Sequence, residues 1–238
     1  MNNTNRNMIV KVCGMREPEN ISAVSALGVD MLGFCFRQES PRYVTMISSL
    51  AGIMPDYSPE RLSSLRSKNS VEGKDMSALQ AERPLRVGVF ADDMPQNIVT
   101  RVYNYDLDFV QLDGSESRIM IENLRRTLEP DIRPGVRIIK SLSIRSVSDF
   151  DKCREYEDVV DLFLFAIPGG SADWPLLDHY HGETPFLLGG AVGPEDAEQV
   201  NALAHPRFAG VSLDSQFEIE PGMKDLESLR RFVDKIRR

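Results

Sequence analysis

This sequence predicts an α/β fold, a single closed (βα)8 barrel of eight parallel strands, on three observations. Short apolar runs alternate with helix-period stretches from one end of the chain to the other. Most of those runs are continuously apolar rather than alternating, as expected of parallel strands covered on both faces. They number eight, the count that closes a barrel, and 238 residues lies within the ~200–250 that such barrels fill as one domain. Strict β–α alternation also implies parallel strands joined by right-handed crossovers. The structural rival is an open doubly wound sheet. No Gly-x-Gly-x-x-Gly follows the first run, so dinucleotide binding lacks support.

The expected elements run as follows. Strand 9–13 reads Ile-Val-Lys-Val-Cys, and helix 17–27 follows with Glu17 in its first turn. Strand 31–36, Met-Leu-Gly-Phe-Cys-Phe, and strand 85–90, Leu-Arg-Val-Gly-Val-Phe, come next. Helix 95–103 opens on Pro95. Strand 109–112 leads to helix 117–127, and strand 136–140 to helix 144–156. Strands 162–165 and 186–188 precede helix 194–203, which starts on Pro194, Glu195 and Asp196. Strand 208–213 and helix 225–236 complete the set. The stretch 55–84 breaks the rhythm, being polar, rich in Ser, Glu, Arg and Lys, with amphipathic fragments only at 62–65 and 76–79. It reads as a surface excursion within a single domain spanning 1–238, the sharper alternative being a lid or partner-binding element.

Composition narrows the function. With 28 basic against 36 acidic side chains the net charge is −8. That argues against gripping nucleic acid or an anionic membrane, yet leaves room for a local basic pocket. Cys13, Cys35 and Cys153 are odd in number and far apart, with no Cys-x-x-Cys. This excludes a disulfide framework or zinc finger and fits a reducing compartment. No secretory signal and no apolar run near ~20 residues is visible, so the expectation is a cytoplasmic protein.

In a barrel, working groups gather where strands end. Alternation puts Lys11 and Cys13 on one side of the first strand, where the cation favours a thiolate able to accept a proton. The bland alternative for Cys13 is a small buried apolar residue. Arg42, after Ser-Pro, can present a planar fork to a carboxylate or phosphate, or be an ordinary surface arginine. Gly189-Gly190 ahead of Pro194 is either an anion site at a helix start or a tight turn. His179 and His181 are expected in solvent, and no metal site is expected.

The strand-end motifs also resemble a known family. They are Lys-Val-Cys-Gly-Met at 11–15, Gly-Phe-Cys-Phe through Ser-Pro-Arg-Tyr-Val at 33–44, and Arg-Val-Gly-Val-Phe-Ala at 86–91. Val-Gln-Leu-Asp-Gly-Ser-Glu-Ser at 110–117, the Gly-Gly stretch at 187–196 and the tail at 217–225 follow in order. Together they resemble phosphoribosylanthranilate isomerase of tryptophan biosynthesis, a TIM barrel, over the whole chain except 55–84. The resemblance implies a cofactor-free Amadori rearrangement of N-(5-phosphoribosyl)anthranilate to 1-(2-carboxyphenylamino)-1-deoxyribulose 5-phosphate. It implies Cys13 as general base and Arg42 facing the anthranilate carboxylate. Gly189, Gly190, Asp214 and Ser215 would form the phosphate cradle. Lys11 and Gln111 join them as expected substrate-binding residues, in a monomer or homodimer acting on one small phosphorylated substrate.

Three positions depart from the family pattern. Ala166 stands where the general-acid aspartate belongs, Asp113 replaces the histidine of Gln-Leu-His-Gly, and Ser212 replaces the aspartate opening the strand-8 motif. An alanine cannot deliver a proton, and a lost general acid costs ~10²–10⁴ in rate. The chain is therefore expected to be an isomerase whose acid has moved or is dispensable, with Asp113 the candidate for a moved acid. The alternatives are an impaired member that binds a phosphorylated ligand or partner, or another sugar-phosphate barrel enzyme. Asp113 paired with Lys11 or another cation and permanently ionised is the competing reading of that residue.

Overall fold

The structure, a computed structural model, describes residues 8–44 and 83–237. Eight parallel strands form the barrel: β1 (Ile9–Val12), β2 (Met31–Cys35), β3 (Leu85–Phe90), β4 (Phe109–Leu112), β5 (Arg137–Ser143), β6 (Leu162–Ile167), β7 (Phe186–Gly190) and β8 (Phe208–Leu213). Each pairs with the next, and β8 returns to β1, setting Lys11 opposite Ser212. Among the described residues the α-helices are α1 (Pro18–Ser25), α2 (Pro95–Tyr105), α3 (Arg118–Leu128), α4 (Cys153–Tyr156), α5 (Ala197–Ala202) and α6 (Leu226–Ile236). A small antiparallel ribbon, β9 (Glu218–Glu220) and β10 (Met223–Lys224), follows β8.

Two apolar clusters divide the two faces of the sheet. The larger joins outward-facing strand residues such as Val10, Val110 and Phe165 to helix residues such as Ile98, Leu124 and Phe232. The smaller contains Met31, Leu85, Val87, Phe109, Ile139, Leu162, Leu164 and Leu187, with Ile9 and Ala209 packed against it. All eight strands contribute to that smaller set, which is the filling of the barrel. A period of two carries each inner stripe upward: Val87 to Val89, Phe109 to Gln111, Ile139 to Ser141, Leu164 to Ala166 and Leu187 to Gly189. The interior is apolar below and polar at the mouth, and this is what positions the site.

The expected elements are present with shifted bounds. β1 stops at Val12, and Cys13 lies just beyond it, its N–H donating to Leu213 O at 2.8 Å. β5 runs to Ser143 rather than Lys140, because Ser143 still pairs with Ala166 of β6. β6 and β7 extend to Ile167 and Gly190, which pair with each other, so Ala166 and the glycines lie within strands rather than after them. The helix expected at 144–156 is a 3₁₀ segment, Val147–Lys152, followed by the single turn α4. Ile144 cannot open it, because its N–H is held by Ala166 O, and a Ser146–Asp149 capping box begins the helical turn later. The helix expected at 194–203 likewise divides into a 3₁₀ turn, Pro194–Asp196, and α5. Of the polar stretch 55–84 only Arg83 and Pro84 are among the described residues; its fragments at 62–65 and 76–79 lie outside them. Within the described residues no helix is long and apolar enough to cross a membrane.

Candidate active site at the barrel mouth

A cavity of about 360 Å³ opens at the carboxyl ends of the strands. Its floor is Cys13, buried to 7% exposure. Lys11, fully buried beneath it, donates from Nζ to Cys13 Sγ at 2.8 Å and to Ser212 Oγ at 3.1 Å. Ser212, in place of the carboxylate that the resemblance implies, leaves the thiol as the nearest acidic partner of Lys11. Burial pushes the Cys13 thiol above its ordinary value, and the Lys11 charge and hydrogen bond pull it back only in part. Gly33 makes room for this sulfur: a Cβ there would stand 2.5 Å from Sγ.

Asp113 enters from the end of β4 and lines the same cavity. Gln111 Nε2 donates to Asp113 Oδ1 at 2.8 Å, which fixes the amide and leaves Gln111 Oε1 buried with no partner. An orphaned acceptor in a cavity wall is free for a ligand hydroxyl or N–H, since leaving it unmet costs ~1–3 kcal/mol. Burial raises the Asp113 carboxyl above its ordinary value, against the Gln111 hydrogen bond and the more distant Lys11, Lys140 and Arg37 charges. The loop holding Asp113 is pinned from outside the barrel. Lys140 Nζ donates to Leu112 O, Gly114 O and Glu116 Oε2 at 3.1, 2.7 and 3.1 Å.

Arg42 lines the mouth on the β1–β8 side. Its Nε donates to both Glu218 oxygens at 3.0 Å and its Nη2 to Oε2 at 2.5 Å, while Asp214 Oδ1 stands 3.7 Å away. Glu218 also accepts from the fully buried Lys224 Nζ at 2.7 Å, and Asn20 clasps the Lys224 backbone through both its amide atoms. Burial pushes the Glu218 carboxyl up, but the Arg42 and Lys224 hydrogen bonds and charges outweigh it and hold the group below its ordinary 4.5. A depressed carboxylate contributes stability above its unfolded value and loses it as the pH falls through the folded one. Glu218→Gln therefore lowers stability at neutral pH by roughly 1–3 kcal/mol, because Arg42 and Lys224 keep only the more distant Asp214 as counter-charge. Urea midpoints check this, with the difference from the parent chain shrinking in acid below pH 4.5. A variant as stable as the parent at pH 7 rejects it.

The adjoining rim, at the ends of β7 and β8, is Gly189, Gly190, Asp214 and Ser215. Gly190 holds φ 91°, and a Cβ there would stand 2.6 Å from Ile167 O, so the backbone path alone demands glycine. A helix dipole offers an anion little at this rim. The Gly193 N–H is taken by Asp196 Oδ2 at 2.7 Å, and α5 behind the 3₁₀ turn has six residues. Asp214 brings a negative charge to this rim, offset by Arg42 and by Lys224 Nζ at 3.6 Å.

Cys13, Asp113, Arg42, Gln111, Gly189, Gly190, Asp214 and Ser215 are thus brought together, with Ala166 among them. Lys11 is the correction: it lies wholly buried behind Cys13, so it acts on the cavity through the thiol. Asp113 bonds Gln111 rather than pairing directly with Lys11, because Lys11 Nζ is committed to Sγ and Ser212. His179 and His181 are exposed. Among the described residues no group of three His, Cys, Asp or Glu side chains converges as a metal centre. Sequence reasoning missed Cys35, Arg37 and Ser141 in the lining. The period-two stripe through Met31 and Ile139 points to all three. Glu218, on the ribbon after β8, carries no such signal.

Three comparisons bear on this arrangement. The profile of the family described as N-(5'phosphoribosyl)anthranilate (PRA) isomerase matches residues 54–235. A Parabacteroides distasonis protein named N-(5'-phosphoribosyl)anthranilate isomerase is 39% identical over 236 residues, covering 96% of this chain and 93% of that one. Its Phocaeicola vulgatus counterpart, of the same name, is 33% identical over 237 residues, covering 97% and 98%. Among solved structures, a phosphoribosyl anthranilate isomerase in complex with reduced 1-(o-carboxyphenylamino)-1-deoxyribulose 5-phosphate superimposes with a TM-score of 0.67. It is 24% identical and covers 96% of this chain and 98% of its own, a likeness of fold.

Proposed function

Because the chain belongs to the N-(5'-phosphoribosyl)anthranilate isomerase family of tryptophan biosynthesis, we propose that it carries out the family's Amadori rearrangement at the barrel mouth, with Cys13 as base and Asp113 as acid. The observation that carries the reading is the Lys11–Cys13 contact of 2.8 Å at the floor of a cavity walled by a raised carboxyl. Asp113 gives a proton to the ribose ring oxygen, the C1′–O bond breaks, and the amine nitrogen forms an iminium. The Cys13 thiolate then takes the C2′ proton, leaving an enolamine that relaxes to the 2′-ketone. Lys11 supports the thiolate form throughout, as a cation beside sulfur does.

The remaining residues bind. Gln111 Oε1 receives a sugar hydroxyl, answering its missing partner. Arg42, held in place by Glu218, faces the anthranilate carboxylate. The phosphate rests on the Gly189–Gly190 and Asp214–Ser215 rim, where the glycines admit close approach. No cofactor enters the chemistry, because the substrate's own C2′ is oxidised as C1′ is reduced. One chain supplies every residue, so the reading holds for a monomer or homodimer, in the cytoplasm.

The test is the fluorescence decay of phosphoribosylanthranilate on adding the protein, paired with calorimetry of the ribulose-phosphate product. Decay above the spontaneous rate, with saturable product binding, is expected. No product binding at millimolar concentration rejects the proposal.

A further inference from the structure

We propose that the buried Lys140–Glu116 ion pair positions the acid Asp113, Lys140 fixing where its carboxyl enters the mouth and Glu116 keeping the Lys140 charge off it. This rests on the isomerase reading above, in which Asp113 gives the proton. Lys140 points outward from β5, since its neighbour Ile139 belongs to the barrel filling. Its Nζ donates to Leu112 O and Gly114 O, the two carbonyls that flank Asp113. An ammonium gripping the backbone on both sides of one residue fixes where that side chain leaves the chain.

Glu116 completes the clasp. Its Oε2 accepts from Lys140 Nζ at 3.1 Å, and its Oε1 from the Gly114 and Asp92 N–H groups at 3.2 and 2.9 Å. Asp92, beyond β3, accepts in turn from the Ser115 N–H and hydroxyl at 2.7 Å each. It does so at φ 51°, uncommon for a residue with a side chain. The loops after β3 and β4 are thus one unit. Tyr156 of α4 closes it, its hydroxyl donating to Glu116 O at 3.1 Å and its ring 5.7 Å from Lys140 Nζ.

Both charged side chains are 2% exposed. A buried ion pair is a poor stabiliser, because desolvation offsets the attraction. What this one supplies is a donor for two carbonyls without an unmatched positive charge beside the acid. Asp113 must hold a proton to act, and a bare ammonium nearby favours the ionised form. The other charged or titratable groups around it are Lys11 and Cys13 from β1 and its end, Arg37 from the loop after β2, and Asp92. Lys11 is engaged by the Cys13 sulfur and Arg37 by Glu39, as Lys140 is by Glu116. Burial is then left to raise the carboxyl.

The test is the pH profile of kcat, with the Asp113 carboxyl also titrated directly by infrared difference spectroscopy against Asp113→Asn. Glu116→Gln leaves the Lys140 charge unmatched, so the Asp113 titration should move to lower pH by roughly one pH unit and kcat at neutral pH fall about 10-fold. Lys140→Met should move the titration the other way, since it removes a cation and unmasks Glu116. The double variant should titrate within about 0.3 pH units of the parent, yet stay roughly 10-fold low in kcat because the carbonyls have lost their donor. KM should stay within ~3-fold throughout. Lys140→Arg should restore the parental titration and part of the rate, keeping the charge in another shape. Where Lys140→Met fails to fold, the shift in Glu116→Gln and its reversal in the double variant decide. Shifts of one sign in both single variants, or no shift, overturn the proposal, as does a double variant with parental kcat. The expected shifts in a parent chain that leaves phosphoribosylanthranilate unchanged uphold the charge tuning and overturn the isomerase reading instead.

Discussion

Cys13→Ala lowers kcat for the rearrangement by roughly 10²–10⁴ while product affinity stays within a few-fold, the signature of a lost base rather than a lost contact. The side chain is buried and small, so the substitution leaves space at the cavity floor but breaks no ladder bond; the Cys13 N–H still reaches Leu213 O. Cys13→Ser should fare no better, because a hydroxyl beside Lys11 remains protonated where a thiol can ionise. The pH profile gives a second reading. Burial raises both groups, Cys13 above its ordinary 9.0 and Asp113 above its ordinary 3.8. The productive form pairs a thiolate with a protonated carboxyl, so activity is bell-shaped in pH and falls on either side of the two titrations. If Cys13→Ala keeps wild-type turnover, another group is the base.

Asp113→Asn produces the second large loss, roughly 10²–10⁴ in kcat. The amide can still accept from Gln111 Nε2, so the loop geometry survives and only the proton is lost. The alkaline limb inverts: with no carboxyl to protonate, residual activity climbs with pH through the thiol's value instead of falling. Ala166→Asp is the partner experiment. Ala166 lines the same cavity from β6, so a carboxylate there restores much of the rate to the Asp113→Asn chain and adds little to the wild type. The contrary pattern is decisive as well. If Asp113→Asn is silent and Ala166→Asp alone raises turnover by orders of magnitude, Asp113 is not the acid and the chain is an impaired isomerase.

The helix expected at 144–156 shows where local reading fails. Its composition is helical, but β5 runs on through Ser143, and the Ile144 N–H belongs to β6 through Ala166 O. The polar Ser141 and Ser143 concealed the strand, since a wall that faces an open cavity need not be apolar there. The same polarity concealed Ser141 as a site residue. At β7 the glycines read as a loop, yet they pair in the ladder with Ala166 and Ile167.

From the sequence alone came the alternation of eight strands with helices, and with it the prediction that Cys13, Arg42, Asp113, Ala166 and Gly189 share one mouth. Those features are local: side-chain period and strand ends are written within a few residues of each other. Tertiary structure alone decided how the charges pair. Arg42 and Glu218 are 176 positions apart and meet only because barrel closure brings the chain after β8 over the loop after β2. Lys11 Nζ is held beneath the cavity by the Cys13 sulfur and by Ser212, the latter 201 positions away. A buried charge must find its partner wherever closure puts one, and no spacing within a strand or helix records that choice.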